Sequence, residues 1–218
     1  MSIGQIFQAP ASIVAATVTF TASAIDPAAS SSTTFTSQAI GTAAANRKVV
    51  VGFTAHNNAS GILTAVTVGG VSATALVQFN AADTADAELW IASVPTGTTG
   101  DIVLTGQHDG CGISVWATYG ASSTAHATAT SESTGTMTLN VNTVAGGITI
   151  GYSTFNTATA IAWTGITEDD ETNMEYAVLS SGASLANATA STPLAITSAQ
   201  TGGTGSASAG VTASIGPA

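Results

Sequence analysis

The chain has 218 residues, of which only 2 are Lys or Arg and 12 are Asp or Glu, for a formal net charge of -10. Charged residues make up 6% of it, where a globular protein carries about a quarter, so the surface must be built from Ser, Thr, Ala, Gly and Asn. The two cations, Arg47 and Lys48, are adjacent and cannot line a phosphate groove, and the negative field repels nucleic acids and anionic membranes, which excludes both as partners.

Short neutral side chains lose little conformational entropy when covered, so such a surface suits packing into an assembly. Hydrophobic residues form 44% of the chain, ample for one large domain or two small ones, yet no run reaches the roughly 18 apolar residues of a membrane-spanning helix. The first twenty residues have no basic segment ahead of their apolar stretch, so synthesis without a secretory leader is expected. Cys111 is the single cysteine, which excludes an internal disulfide and fits production in a cytoplasm.

Along the chain, strand signals dominate. Residues 1–32 differ in character, with Ile6, Phe7, Ile13 and Val14 among small residues and a linker-like Ala28-Ala29-Ser30-Ser31-Ser32. They read either as an arm that docks on a neighbouring subunit or as a first edge strand. A Thr-rich strand is expected over 33–40 and a strongly β-branched one over 48–56. Residues 66–68 and 71–79 flank Gly69-Gly70, a two-residue hairpin signal. Strands follow over 88–94 and 101–104, separated by a Pro/Gly/Thr turn. Asp109-Gly110 predicts a type I′ hairpin turn. In 112–119 the period-two alternation places Ile113, Val115, Ala117 and Tyr119 on one face. Residues 121–134 read as a connector. Beyond it, strands are expected over 135–141, 147–155, 174–180 and 205–215, with the acidic run 168–171 as a solvated hairpin loop. Short strands at regular spacing with Gly-rich turns and no helical periodicity specify an all-β antiparallel β-sandwich or jelly roll, with 33–218 as the domain.

An internal echo is visible at 33–120 and 135–216. Val50-Val51-Gly52-Phe53 through Asn57 parallels Thr149-Ile150-Gly151-Tyr152 through Asn156. Ala87-Glu88-Leu89 parallels Met174-Glu175-Tyr176, and Thr118-Tyr119-Gly120 parallels Ser214-Ile215-Gly216. Two explanations stand: a duplication whose halves form one sandwich, or convergence in a compositionally narrow sequence.

Candidate sites are few. Glu168, Asp169, Asp170 and Glu171, with Glu175 behind them, could offer hard oxygens to Ca²⁺, but lack the spacing of a calcium loop. One loop also cannot place two carboxylates across a cleft, as glycoside hydrolysis requires. His108, Asp109 and Cys111 fall within four residues without a second ligand pair for a metal. His56 and His126 stand in polar stretches, and no Gly-x-Ser-x-Gly elbow is present. Trp90, Trp116 and Trp163 could stack on sugar rings or fill the core. No catalytic residue and no cofactor is assigned, and the chain is expected not to be an enzyme.

The motifs RKVVVGFTAHN at 47–57, VTVGGVSATAL at 66–76, ELWIASVPTGTTGDIVLTG at 88–106 and CGISVWATYG at 111–120 resemble a group of β-sandwich structural proteins of tailed bacteriophages and prophages, of marine and alphaproteobacterial type. The resemblance spans residues 35–119 and brings no catalytic residues with it. It implies a virion component. The expected role is a capsid decoration or a head or tail fibre protein on the particle exterior, packed against capsid or tail subunits and its own copies, and since assemblies favour closed rings a trimer is expected. The alternative is a receptor- or glycan-binding module at a tail tip. A hydrolase of host surface polymer would require Glu168, Asp169 or Asp170.

Overall fold

The computed structural model describes residues 14–56, 62–81, 85–156, 158–174, 178–187, 189–202 and 208–218. The fold is all-β and every strand pairing is antiparallel, with no α-helix among the described residues. The first seven strands are β1 (Thr17–Ala39), β2 (Arg47–His56), β3 (Ala65–Val68), β4 (Val71–Ser72), β5 (Thr74–Ala81), β6 (Ala85–Ser93) and β7 (Thr99–Tyr119). They form a sheet of order β4-β3-β7-β2-β6-β5, with β1 on β7. β4 and β5 sit at opposite ends of that order although Ala73 alone separates them in sequence, so the sheet nearly closes into a barrel.

Closure follows from strand length. A straight strand of 23 residues would run about 75 Å, too far for a domain of this size, so β1 must bend. Its register with β7 slips at Phe20/Ala22, Asp26/Ala29, Ser30/Ser32 and Phe35/Gln38, and Thr21 Oγ1 donates to Ala39 O at 2.8 Å, joining the two ends of the strand. Residues 28–32 therefore belong to a bulged strand rather than a linker, and the expected boundary at 32/33 falls inside β1. Residues 1–13 lie outside the described part. Asp109-Gly110, expected as a hairpin turn, instead lies within β7, where Gly106 (φ 148°) and Gly110 (φ 117°) take up the bend. Gly69 and Gly70 do form the expected tight turn, both with positive φ, and Val68 pairs with Val71 across them.

The second set comprises β8 (Ala121–Glu132), β9 (Thr136–Thr138), β10 (Ile148–Asn156), β11 (Ala160–Thr164), β12 (Thr167–Asn173), β13 (Val178–Ala186), β14 (Thr197–Thr201) and β15 (Ala209–Pro217). β8 replaces the expected connector; its alternating Ala and Thr were the overlooked period-two signal. β12 replaces the expected acidic loop. These strands make one sheet of order β12-β13-β10-β15-β8 and a smaller one of order β11-β14-β9.

Strand order recurs between the two sets: β1-β7-β2-β6-β5 and β8-β15-β10-β13-β12. The residue echo does not follow it. Gly52 faces Tyr152 and Trp116, between the two large sheets, whereas Gly151 faces Trp163 and Ile166 on the far side of its own sheet. Aligning those glycines would match opposite faces.

Three apolar layers result. Val49, Val51, Phe53, Ile113 and Val115 fill the barrel with Phe35, Ile102 and Leu104. Val50, Leu89, Ile91 and Trp116 meet Ile148, Ile150, Tyr152, Val211 and Ile215 between the large sheets. Phe155 and Leu179 meet Met137, Leu139, Ile161 and Ile196 beneath the small sheet.

Arg47 is 1% exposed. Its guanidinium donates to Val94 O, Gly41 O, Gly97 O and Thr96 O at 2.6–2.8 Å, tying two turns to the start of β2. Lys48 Nζ donates to Ala121 O. Because β2 is hydrogen-bonded on both sides, folded protein should resist trypsin at doses that cut ordinary domains; rapid cleavage after Arg47 or Lys48 would contradict the buried placement. Arg47→Met strands the carbonyls, and should cost about 3 kcal/mol and lower Tm by roughly 6–12 °C in a thermal melt.

Candidate functional site

The acidic run is the densest cluster of charge in the sequence, and its geometry explains where that charge goes. A bulge between Glu168 and Asp170 breaks the alternation of β12, so Asp169 and Asp170 both reach the first sheet. Trp116 Nε1 donates to Asp169 Oδ2 at 2.8 Å. Ser114 Oγ donates to Asp170 Oδ2 at 2.9 Å and Ser23 Oγ to Asp170 Oδ1 at 3.2 Å. Glu171 turns away, and its Oε2 accepts from Ile161 N at 2.5 Å. Glu168 is exposed; partial burial, then Glu171 and Asp170, raise its pKa. Asp169, Asp170 and Glu171 are held by different partners, and among the described residues no group of three His, Cys, Asp or Glu is placed to hold a metal ion. The cluster does not fit calcium; it is a clasp between sheets. Glu175 lies outside the described residues.

The tryptophans are structural ties. Trp116 is fully buried, edge-on to Tyr152 at 6.2 Å and to Phe20 at 6.1 Å. Its ring fits because Gly182 and Gly52 oppose it: a Cβ on Gly182 would stand 2.5 Å from Cζ2. Trp90 is 6% exposed inside the barrel, its Nε1 donating to Glu88 Oε2 at 2.6 Å. Neither indole can serve as a platform for a sugar. Trp163 is half-buried over Gly151, with Nε1 donating to Ser181 Oγ at 2.9 Å.

Two polar clusters escaped the sequence reading. Glu88, fully buried, accepts from Leu63 N at 2.7 Å, Gln78 Nε2 at 2.9 Å and Trp90. Burial raises its pKa against the pull of those three donors. The signal was present: a carboxylate inside the apolar run 87–92, in phase with Trp90. In the second cluster, Thr33 Oγ1 donates to Asp26 Oδ2 at 3.1 Å and lies 3.2 Å from His108 Nε2. With the Thr33 hydroxyl proton directed at Asp26 Oδ2, the ring nitrogen is the donor to Thr33 Oγ1. Burial lowers the His108 pKa, opposed by Asp26 and Asp109.

Cys111 lies beside this group, its thiol pushed up to about 12 by burial and then by Asp26. It is a thiol at neutral pH, unsuited to nucleophilic attack. His56 closes β2, and His126 is exposed on β8. Asp109 is exposed on β7, apart from any second ligand pair.

The class defined by these observations is an all-β protein of antiparallel sheets, one of them nearly closed, in which Arg47, Glu88, Trp90, Trp116, Asp169, Asp170 and Glu171 are engaged in internal hydrogen bonds. No protein-family model matches the sequence, and no curated protein is significantly similar to it.

Asp169→Ala leaves the Trp116 N–H buried without an acceptor and should cost about 1–3 kcal/mol in urea unfolding, while Asp169→Asn, which keeps an acceptor oxygen, should cost less. Added calcium should shift neither midpoint. For Glu88 the raised pKa means that the folded state disfavours the carboxylate, so its contribution is fullest below the unfolded value of 4.5 and is lost as pH rises through the folded value. The stability difference between wild type and Glu88→Gln should therefore shrink as pH rises above about 4.5.

Proposed function

We propose that the protein is a non-enzymatic structural component of a bacteriophage virion, carried on the particle exterior as a capsid decoration or a head or tail fibre subunit and acting through subunit packing. The observation that carries this reading is the use of its reactive groups. Asp169, Asp170, Glu171, Glu88 and Trp116 are each committed to hydrogen bonds that join strands or sheets, Arg47 ties two turns to β2, and Trp90 is held by Glu88 within β6. Much of what faces outward is short and neutral, as in the exposed Thr128 and Thr130 of β8. Such a surface is covered at low entropic cost when subunits pack.

The resemblance to phage structural proteins supports the same reading. Its motifs map onto β2, β3 to β5, β6 and β7, the strands of the barrel-like sheet. Buried trypsin sites also suit a protein displayed outside a host.

Quantitative mass spectrometry of purified particles tests the proposal. Hundreds of copies per particle are expected for capsid decoration. A handful would place the chain at a vertex, fibre or tail tip and favour receptor or glycan binding, with Trp163 as the aromatic to mutate. Absence from particles would overturn the virion assignment.

A further inference from the structure

The sheet of order β12-β13-β10-β15-β8 ends in two strands of opposite character. A strand edge presents unpaired N–H and C=O groups that invite another strand, and proteins guard such edges with charge, bulges or a covering element. β12 is guarded by its four acids, by its bulge and by the bond from Ser23 of β1. β8 has little of this. It is 12 residues long and pairs only with β15 among the described residues. From Ala127 to Glu132 its register with β15 is unbroken. Ala127, Ala129 and Ser131 are half-buried, whereas His126, Thr128, Thr130 and Glu132 are exposed.

We propose that this edge is occupied by β8 of a second copy of the chain, antiparallel and related by a twofold axis at Ala129. A slip of one residue would set inward side chains against outward ones, so the alternation restricts the register. With Ala129 on the axis, Thr128 faces Thr130 of the second copy and Ala127 faces Ser131. His126 faces Glu132, and symmetry repeats that pairing on the other side. Donor–acceptor complementarity selects a second copy as occupant: the one histidine of β8, with a ring N–H to donate, and its one carboxylate, which accepts, stand equally far from the axis, on opposite sides of it. The acids of β12 lie four strands away, about 19 Å at the usual strand spacing, so they are held off the junction. Joined edges make one continuous sheet across both subunits. The contact is isologous and closes at two copies, in place of the trimer expected from the preference of assemblies for closed rings. It stands on β8 alone and does not depend on a virion role.

Analytical ultracentrifugation of the purified full chain tests it. Wild type should sediment at twice the 21.2 kDa chain mass. Thr128→Lys combined with Thr130→Lys sets like charges opposite each other on both rungs, and should weaken dimerisation at least tenfold. Thr128→Lys combined with Thr130→Glu sets opposite charges on the same rungs and should dimerise at least as tightly as wild type. Both positions are exposed, so both variants should keep the wild-type circular dichroism. A monomeric wild type at every concentration reached, or two double variants that dissociate alike, would overturn the pairing.

Discussion

The layer between the two large sheets is the constraint on which the rest depends, and Trp116 is its centre. An indole standing between two sheets needs room that ordinary side chains would occupy, and Gly52 and Gly182 supply it from opposite sides. It also carries an N–H that must be satisfied in a dry layer. Only a group from the facing sheet can do this, and Asp169 does so because the β12 bulge turns two successive carboxylates the same way. One large ring, two glycines and one bulge thus fix how the sheets sit across each other, with β1 over β12 and β13, and β5 over β15 and β8.

The composition that looked impoverished as chemistry works well as packing. Strands buried on both faces, such as β2 and β10, need apolar or small side chains in every position, and β10 is buried throughout. Some hydroxyls in such strands find partners across layers: Ser153 with Ser198 at 2.7 Å, and Thr212 with Leu139 O at 3.0 Å. A Ser/Thr/Ala/Gly sequence can therefore stack sheets on both faces of a central pair without longer polar side chains. Its scarce long polar residues are kept where several acceptors or donors converge, as at Arg47 and Glu88.

Fold class was legible because β-branched runs, period-two alternation and paired glycines report local geometry directly, as in β2, residues 112–119 of β7 and the turn at Gly69-Gly70. What escaped was set by long-range partners. Asp109-Gly110 has the composition of a turn, but β1 runs alongside β7 past it and holds it extended. The acids 168–171 read as a solvated loop because charge usually seeks water; the acceptors of Asp169, Asp170 and Glu171 are spoken for by Trp116, Ser114 and Ile161, residues no local window contains. The tryptophans could be placed on a strand face from alternation, but not on a buried one, since both faces of these sheets are covered. Glu88 could have been found, as a carboxylate in an apolar run is costly unless donors surround it.

The repeated strand order carries a further consequence for the edges. β1 and β8 hold the same place in their respective orders, each flanking the strand that pairs with the central one. β1 continues for 23 residues and bends over the barrel, so its two ends are tied together through Thr21. In the second set the corresponding path is broken: β8 stops at Glu132 and the chain resumes as β9 in the small sheet. The break frees β8 from following a curl, and the register from Ala127 to Glu132 stays regular. A single topological plan, continuous in one half and interrupted in the other, thus yields one nearly closed, inward-looking sheet and one open sheet with an edge that another strand can join.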